Sequence, residues 1–294
     1  MKYALYLGCI IPVRGRNYEL STRKVAQRLG IEFVDIEAFS CCGLPIRYID
    51  WQTSLLMAAR NLSLAESLGL DICTPCSGCA SMLTGVNRLL REDSDLSRQV
   101  NDKLARVGHH YEGGVNVKHF ARILYEDVGT EQIKAAVTRS LAGLKVATHY
   151  GCHYLKPSLI YDGFDDPEHP RSLDEMVAAT GATPLAYEYK NQCCGLYTFG
   201  VDAEIAYDIA HTKLEHVKAA GADAIILACP ACAITYDHSQ RSIAKKFDSE
   251  YDLPVLFITQ LIGLALGFEP AELGFNLNRV KTDELLAKLM LEPA

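Results

Sequence analysis

Ten of the eleven cysteines in this 294-residue sequence fall into two copies of one pattern. The first copy is Cys9, Cys41-Cys42-Gly43 and Cys76-Ser-Gly-Cys79; the second is Cys152, Cys193-Cys194-Gly195 and Cys229-Pro-Ala-Cys232. Five thiols per copy, in the same order, are hard to explain by packing and easy to explain as two metal or iron–sulfur sites. A structural zinc takes four ligands, commonly from two C-x-x-C hooks. Each copy here has one hook, one adjacent pair and one distant cysteine, so zinc leaves a fifth thiol unused. Adjacent cysteines are also held too near in sequence to chelate one ion comfortably, yet they can ligate neighbouring irons of a cluster. Iron–sulfur binding is the favoured reading, ahead of structural zinc. Disulfides come last, because a reducing compartment is expected.

The elements that position these thiols follow from the hydrophobic pattern. Apolar runs at 2–8, 31–36 and 71–74 read as strands, and stretches of helical period at 17–29 and 52–68 lie between them. The order returns with strands at 144–150, 183–188 and 224–228 and helices around 172–180 and 201–220. Strands alternating with helices imply βαβ units with a short parallel sheet in each half. The fold class is therefore α/β, with two pseudo-symmetric domains over 1–143 and 144–294. Cys9, Cys76, Cys152 and Cys229 fall at or just past strand ends, where ligands bind in such sheets. Each C-x-x-C opens a helix, at 78–92 and 231–246, whose positive end favours thiolates. Spacing within the copies differs mainly between the first cysteine and the pair, 32 positions against 41, which places a surface insertion in the second copy. The stretch from about 93 to 143 reads as two or three polar helices with a turn at Gly113-Gly114, a connection with little functional content.

Composition bounds the partners. About half the residues are apolar and 22% are charged, as in an ordinary globular protein. The net charge of −7 argues against nucleic acid. The N-terminus reads as a strand and not as a signal peptide, and the apolar segment 257–268 is too short to span a bilayer. A cytoplasmic location without membrane contact is the expectation. Cys73 has no counterpart in the second copy and is expected to be a small buried residue of a strand.

The duplicated order of a lone cysteine, a Cys-Cys-Gly turn and a C-x-x-C hook resembles the twofold cysteine-rich CCG domain, and in particular the family of heterodisulfide reductase B subunits. The match covers nearly the whole chain. It implies two noncubane [4Fe-4S] clusters, one held by Cys9, Cys41, Cys42, Cys76 and Cys79 and the other by Cys152, Cys193, Cys194, Cys229 and Cys232. The resemblance further implies that the disulfide CoM-S-S-CoB binds between the two sites and is reduced to its two thiols in methanogenesis. Implied partners are the ferredoxin-like C subunit and the flavin-containing A subunit of the same complex, with a hydrogenase or formate dehydrogenase as electron source. The absence of a ferredoxin-type cysteine run fits electrons arriving from another polypeptide. Similar domains occur in hydroxy-acid and succinate dehydrogenase complexes, so an electron-transfer component of that kind is the alternative.

Proton delivery to a nascent thiolate would need a titratable side chain. His153, directly after Cys152, is the candidate general acid, with orientation of the cysteine loop as its plainer role. His149 is expected to pack on a strand face. Arg14, Arg16, Arg47, Lys156 and Lys190 flank the cysteine loops and could meet an anionic substrate, although surface solvation accounts for any one of them.

Overall fold

The computed structural model describes residues 1–291. Two four-stranded sheets carry the fold, one ordered β2-β1-β3-β4 and the other β6-β5-β7-β8, with every neighbouring pair parallel. The first contains β1 Lys2–Leu5, β2 Glu32–Asp35, β3 Ile72–Thr74 and β4 Val117–His119. The second contains β5 Lys145–His149, β6 Thr183–Pro184, β7 Ala224–Leu227 and β8 Val255–Phe257.

Parallel neighbours require a crossover between them, and helices supply it. Arg16–Arg28 joins β1 to β2, Trp51–Glu66 joins β2 to β3, and Ser77–Glu92 follows β3. In the second half Ser172–Ala179 and Ala203–Ala219 take the first two places. Each long central helix is started by an aspartate whose side chain accepts from first-turn N–H groups, Asp50 from Thr53 and Asp202 from Glu204 and Ile205.

Three expectations are corrected. Each sheet has four strands, not three. β4 lies inside the stretch expected to be wholly helical, and β8 runs into the apolar segment 257–268 from a stretch that had no strand assigned. The helix expected over 231–246 is divided: Pro230–Ala233 continues as a π-turn, Ile234–His238, and a second helix runs Gln240–Phe247. Buried Asp237 in that turn accepts from the backbone N–H groups of Arg279 and Val280, a tether absent from the unbroken helix Ser77–Glu92 of the first half. The strand expected over 183–188 retains only two residues.

The halves are tied together by exchange of their last elements. After β8, the helix Ile258–Ala265 packs on Arg16–Arg28 of the first half, with Ser21 and Thr259 hydroxyls 2.6 Å apart and the rings of Tyr18 and Phe257 stacked at 3.9 Å. After β4, the segment Phe120–Ala136 lies against Ser172–Ala179 of the second half, where the Tyr125 hydroxyl donates to Glu175 at 2.7 Å. Both buried clusters of apolar side chains consequently contain residues of both halves. Among the described residues, no helix is long and apolar enough to cross a membrane.

Candidate metal centre

In the order 2-1-3-4, the connections leave β1 and β3 in opposite directions, so a crevice opens past their carboxyl ends. Cys9 follows β1 and Cys76 follows β3; Cys152 and Cys229 follow β5 and β7 in the same way. Each half therefore delivers its cysteines to a topological switch point. The two switch points meet at one cleft, whose walls include Cys9, Cys42, Cys76 and Cys79 from the first copy and Cys152, Cys193, Cys194, Cys229 and Cys232 from the second. Cys41, the remaining motif cysteine, lies 3.9 Å from Cys9, sulfur to sulfur. All eleven cysteines are free thiols.

The local geometry of the Cys-Cys-Gly turns explains their glycine. Gly43 and Gly195 have φ of 87° and 81°, a left-handed conformation that disfavours a side chain. A Cβ on Gly43 would also lie 2.7 Å from the Ser54 carbonyl oxygen, and one on Gly195 would lie 3.0 Å from that of Ala206. The turn thus rests on the helix that follows it and aims its own N–H back at the preceding sulfur, Gly43 to Cys41 at 3.5 Å and Gly195 to Cys193 at 3.4 Å. Hydrogen bonds from the adjacent and distant thiols, together with that N–H, hold Cys41 and Cys193 well below the ordinary thiol range. The contact within each pair, aided by burial, pushes Cys42 and Cys194 up to about 12, against the contacts with Cys79 and Cys232. In each copy the first member of the pair is the preferred thiolate.

Cys76 and Cys229 cap their helices, so the positive end of each helix faces the cleft. Cys73 behaves as expected. It is fully buried on the opposite face of β3, in the cluster that does not contain the motif cysteines.

The donor set can be tested against the group the pattern calls for. Among the described residues, no three His, Cys, Asp or Glu side chains converge as they would on a single ion. The thiols are strung along the cleft walls in pairwise contact, an arrangement that suits a cluster of several metals better than one tetrahedral zinc. The clustered cysteines of the two copies are consistent with iron–sulfur binding.

His153 lines the cleft beside Cys152, with Nδ1 3.3 Å from the Ser81 hydroxyl of the first half, and burial lowers its pKa. His149 does more than pack on a strand face. Buried at the end of β5, its Nε2 is 3.2 Å from Cys232 Sγ, and its Nδ1 is 2.9 Å from the ammonium of buried Lys213. Burial pulls Lys213 down to about 7, against Cys232, Cys194 and Cys193, which hold it up.

The flanking cations are less available than the sequence suggests. Lys156 pairs with Glu168 at 2.9 Å and Lys190 with Asp174. Arg47 lies over the rings of Tyr48 and Trp51, while Arg14 and Arg16 are exposed.

Lys213 and Tyr197 are the residues that sequence reasoning missed. Tyr197 stands where the first copy has Pro45, three positions after the second pair cysteine in both. Its ring packs edge-on to His153 at 6.1 Å, and its hydroxyl reaches the first half at Gly78. Aligning the two copies position by position would have singled out both residues.

Comparison with known proteins agrees with this architecture. The model of the family described as "Cysteine-rich domain", CCG, matches residues 3–84 and 146–237, one region for each sheet. The chain belongs to this cysteine-rich CCG-domain family, as a member of the kind found in heterodisulfide reductase B subunits. Over 293 residues it is 39% identical to the B subunit of the ferredoxin/F(420)H(2)-dependent CoB-CoM heterodisulfide reductase of Methanosarcina acetivorans, covering 98% of this chain and 97% of that one. It is 33% identical to the 8-methylmenaquinol:fumarate reductase membrane anchor subunit of Wolinella succinogenes, covering 97% and 99%. A crystal structure of a hypothetical protein from Helicobacter pylori shares the fold, with a TM-score of 0.77 at 15% identity, covering 95% of this chain and 52% of that one.

Proposed function

We propose that this chain is the catalytic component that reduces the heterodisulfide CoM-S-S-CoB to the thiols of coenzyme M and coenzyme B. The observation that carries the reading is the single cleft walled by cysteines of both copies. Cys9, Cys41, Cys42, Cys76 and Cys79 would hold one noncubane [4Fe-4S] cluster, and Cys152, Cys193, Cys194, Cys229 and Cys232 the other. Together the clusters would supply one electron each to a bond whose reduction takes two. A disulfide has two equivalent sulfurs, and a pseudo-symmetric cleft offers each one a comparable wall.

The chain's other residues bind the substrate and serve the thiolates that form. Ile10, Leu44 and Ala231 give the cleft apolar walls that limit water around the reacting sulfurs. His153 would deliver a proton to the sulfur beside the Cys152 wall. Tyr197 stands next to it, its hydroxyl kept protonated by burial. Arg47, which pairs with no carboxylate among the described residues and lies close enough to His153 to help lower its pKa, would meet an anionic substrate tail.

The units of the duplication are taken as 1–143 and 144–294, on either side of the turn between the two sheets. The proposed partners are the ferredoxin-like C subunit and the flavin-containing A subunit of one cytoplasmic complex, fed by a hydrogenase or formate dehydrogenase. Identity to a fumarate reductase component favours a second reading, an electron-transfer role in a dehydrogenase or reductase complex. Anaerobic assay of thiol formation from CoM-S-S-CoB with a reduced viologen dye separates them, since a pure relay forms no thiol.

In the same assay, His153→Gln is expected to retain iron and substrate binding while thiol release slows by about 10²-fold, the lower end of general acid contributions. Unchanged turnover with intact iron would leave His153 with only its orienting contact to Ser81.

A further inference from the structure

The two copies align closely enough that a side chain differing between equivalent positions beside the thiols is informative. Tyr6 and His149 each stand three residues before the first cysteine of their copy; Asn61 and Lys213 each stand eleven after the aspartate that caps their helix. These four side chains form two equivalent pairs of opposite character.

In the first copy the pair is neutral and turned away from sulfur. The Tyr6 hydroxyl donates its only proton to the Ser40 carbonyl at 2.5 Å and accepts from the Asn61 amide at 3.4 Å. Asn61 also donates to the Cys41 carbonyl at 3.1 Å. No proton of this pair is left for a thiol.

In the second copy the pair is cationic and aimed at sulfur. The Lys213 ammonium has three protons and three acceptors, His149 Nδ1 at 2.9 Å, the Lys190 carbonyl at 2.9 Å and the Gln192 carbonyl at 3.0 Å. Because Nδ1 accepts, the ring proton is on Nε2, which donates to Cys232 Sγ at 3.2 Å. Lys213 is fully buried and, among the described residues, no carboxylate pairs with it. A buried ammonium without a counter-charge is costly. The thiolates of the second set are the negative charge it faces.

We infer that the Lys213–His149 pair makes the C-terminal cysteine set the more readily reduced of the two sites, so that the first electron to enter this chain settles there. This rests on the reading that each set holds an iron–sulfur cluster. Net charge and hydrogen bonds to sulfur are among the factors that set such potentials. A cation-backed N–H···S bond in a buried setting is stronger than a neutral one. The neutral Tyr6–Asn61 pair provides neither. Lys213 and His149 are thus positioning residues, acting on electron affinity through Cys232 without touching substrate.

The test is a reductive titration of the full chain, reconstituted with iron and sulfide and followed by electron paramagnetic resonance, with dithionite and redox mediators as electron source. Two separate one-electron steps are expected. In Lys213→Met, with iron content unchanged, the higher-potential step should fall by at least about tenfold in its equilibrium constant, about 59 mV for a one-electron couple, while the other stays in place. His149→Leu, which removes both the N–H donor to Cys232 and the link to the cation, should show a shift of the same sign. Two intact iron sites with no shift, or a shift of the lower-potential step instead, would overturn the inference. Loss of second-half iron in both variants would also overturn it, because the pair would then build the site and not tune it. A wild-type chain that takes up no iron would sink the underlying assignment of the clusters instead.

Discussion

Replacing Cys194 with alanine should reduce cleavage of CoM-S-S-CoB to the background of the dye alone, while the iron of the first half remains. Cys194 is buried, lies in contact with Cys193 and Cys232, and belongs to the second set only. Cys42→Ala should give the mirror result, because Cys42 occupies the equivalent place between Cys41 and Cys79. The reasoning is electronic. Two electrons are needed for one disulfide, and if each wall serves one sulfur, neither half can complete the reaction alone. An electron relay behaves differently, since the far set could be lost without stopping chemistry at the near one. Iron analysis and thiol formation on the same sample decide the matter. Substantial activity in a verified one-site variant would rule out paired action and show that one set carries the chemistry while the other only relays electrons.

Metal content is the second large effect. Anaerobically purified chain should carry about eight irons and eight acid-labile sulfides, the sum of two four-iron clusters. Stoichiometric zinc with little iron would defeat the assignment. Cys73→Ser supplies the internal control. That side chain is fully buried on the face of β3 away from the cleft, so its hydroxyl should cost about 1–3 kcal/mol of stability. Its iron content should nevertheless equal that of the unaltered chain. A fall in iron would mean that the thiol reaches the site by a rearrangement of β3.

Much of this molecule is legible in one dimension. The duplicated cysteines and the alternation of short apolar runs with helical periods are local signals, each readable within a short stretch of chain. They suffice for two parallel α/β units with thiols past the strand ends. Of the six helices whose bounds are readable from the sequence, five match their observed spans to within two residues at each end, because their periodicity runs over eight residues or more.

The strands at the far edges were not legible. β4 is three residues, Val117, Lys118 and His119, too short and too polar to show a period. It exists because β3 offers an unpaired edge, a fact of the sheet and not of the segment. β8 has the reverse problem. Its three apolar residues run straight into an apolar helix, so nothing local divides the two.

What only the tertiary structure decided is the relation between the halves and the character of the cleft. The sequence by itself determined that there are two equivalent thiol sets, because ligand type and spacing are written in adjacent residues. It left open whether those sets face each other. The closing helices settle that by packing across, Ile258–Ala265 on the first half and Phe120–Ala136 on the second, through contacts such as Ser21 with Thr259 that lie 238 positions apart. Lys213 illustrates the same limit at one residue. A lysine in a helix reads as solvated by default, and only the packed fold shows its ammonium enclosed by two carbonyls and an imidazole that leads to Cys232. The physical reason is common to both cases: burial and charge balance are set by whatever lies opposite in space, and no local stretch of chain carries that information.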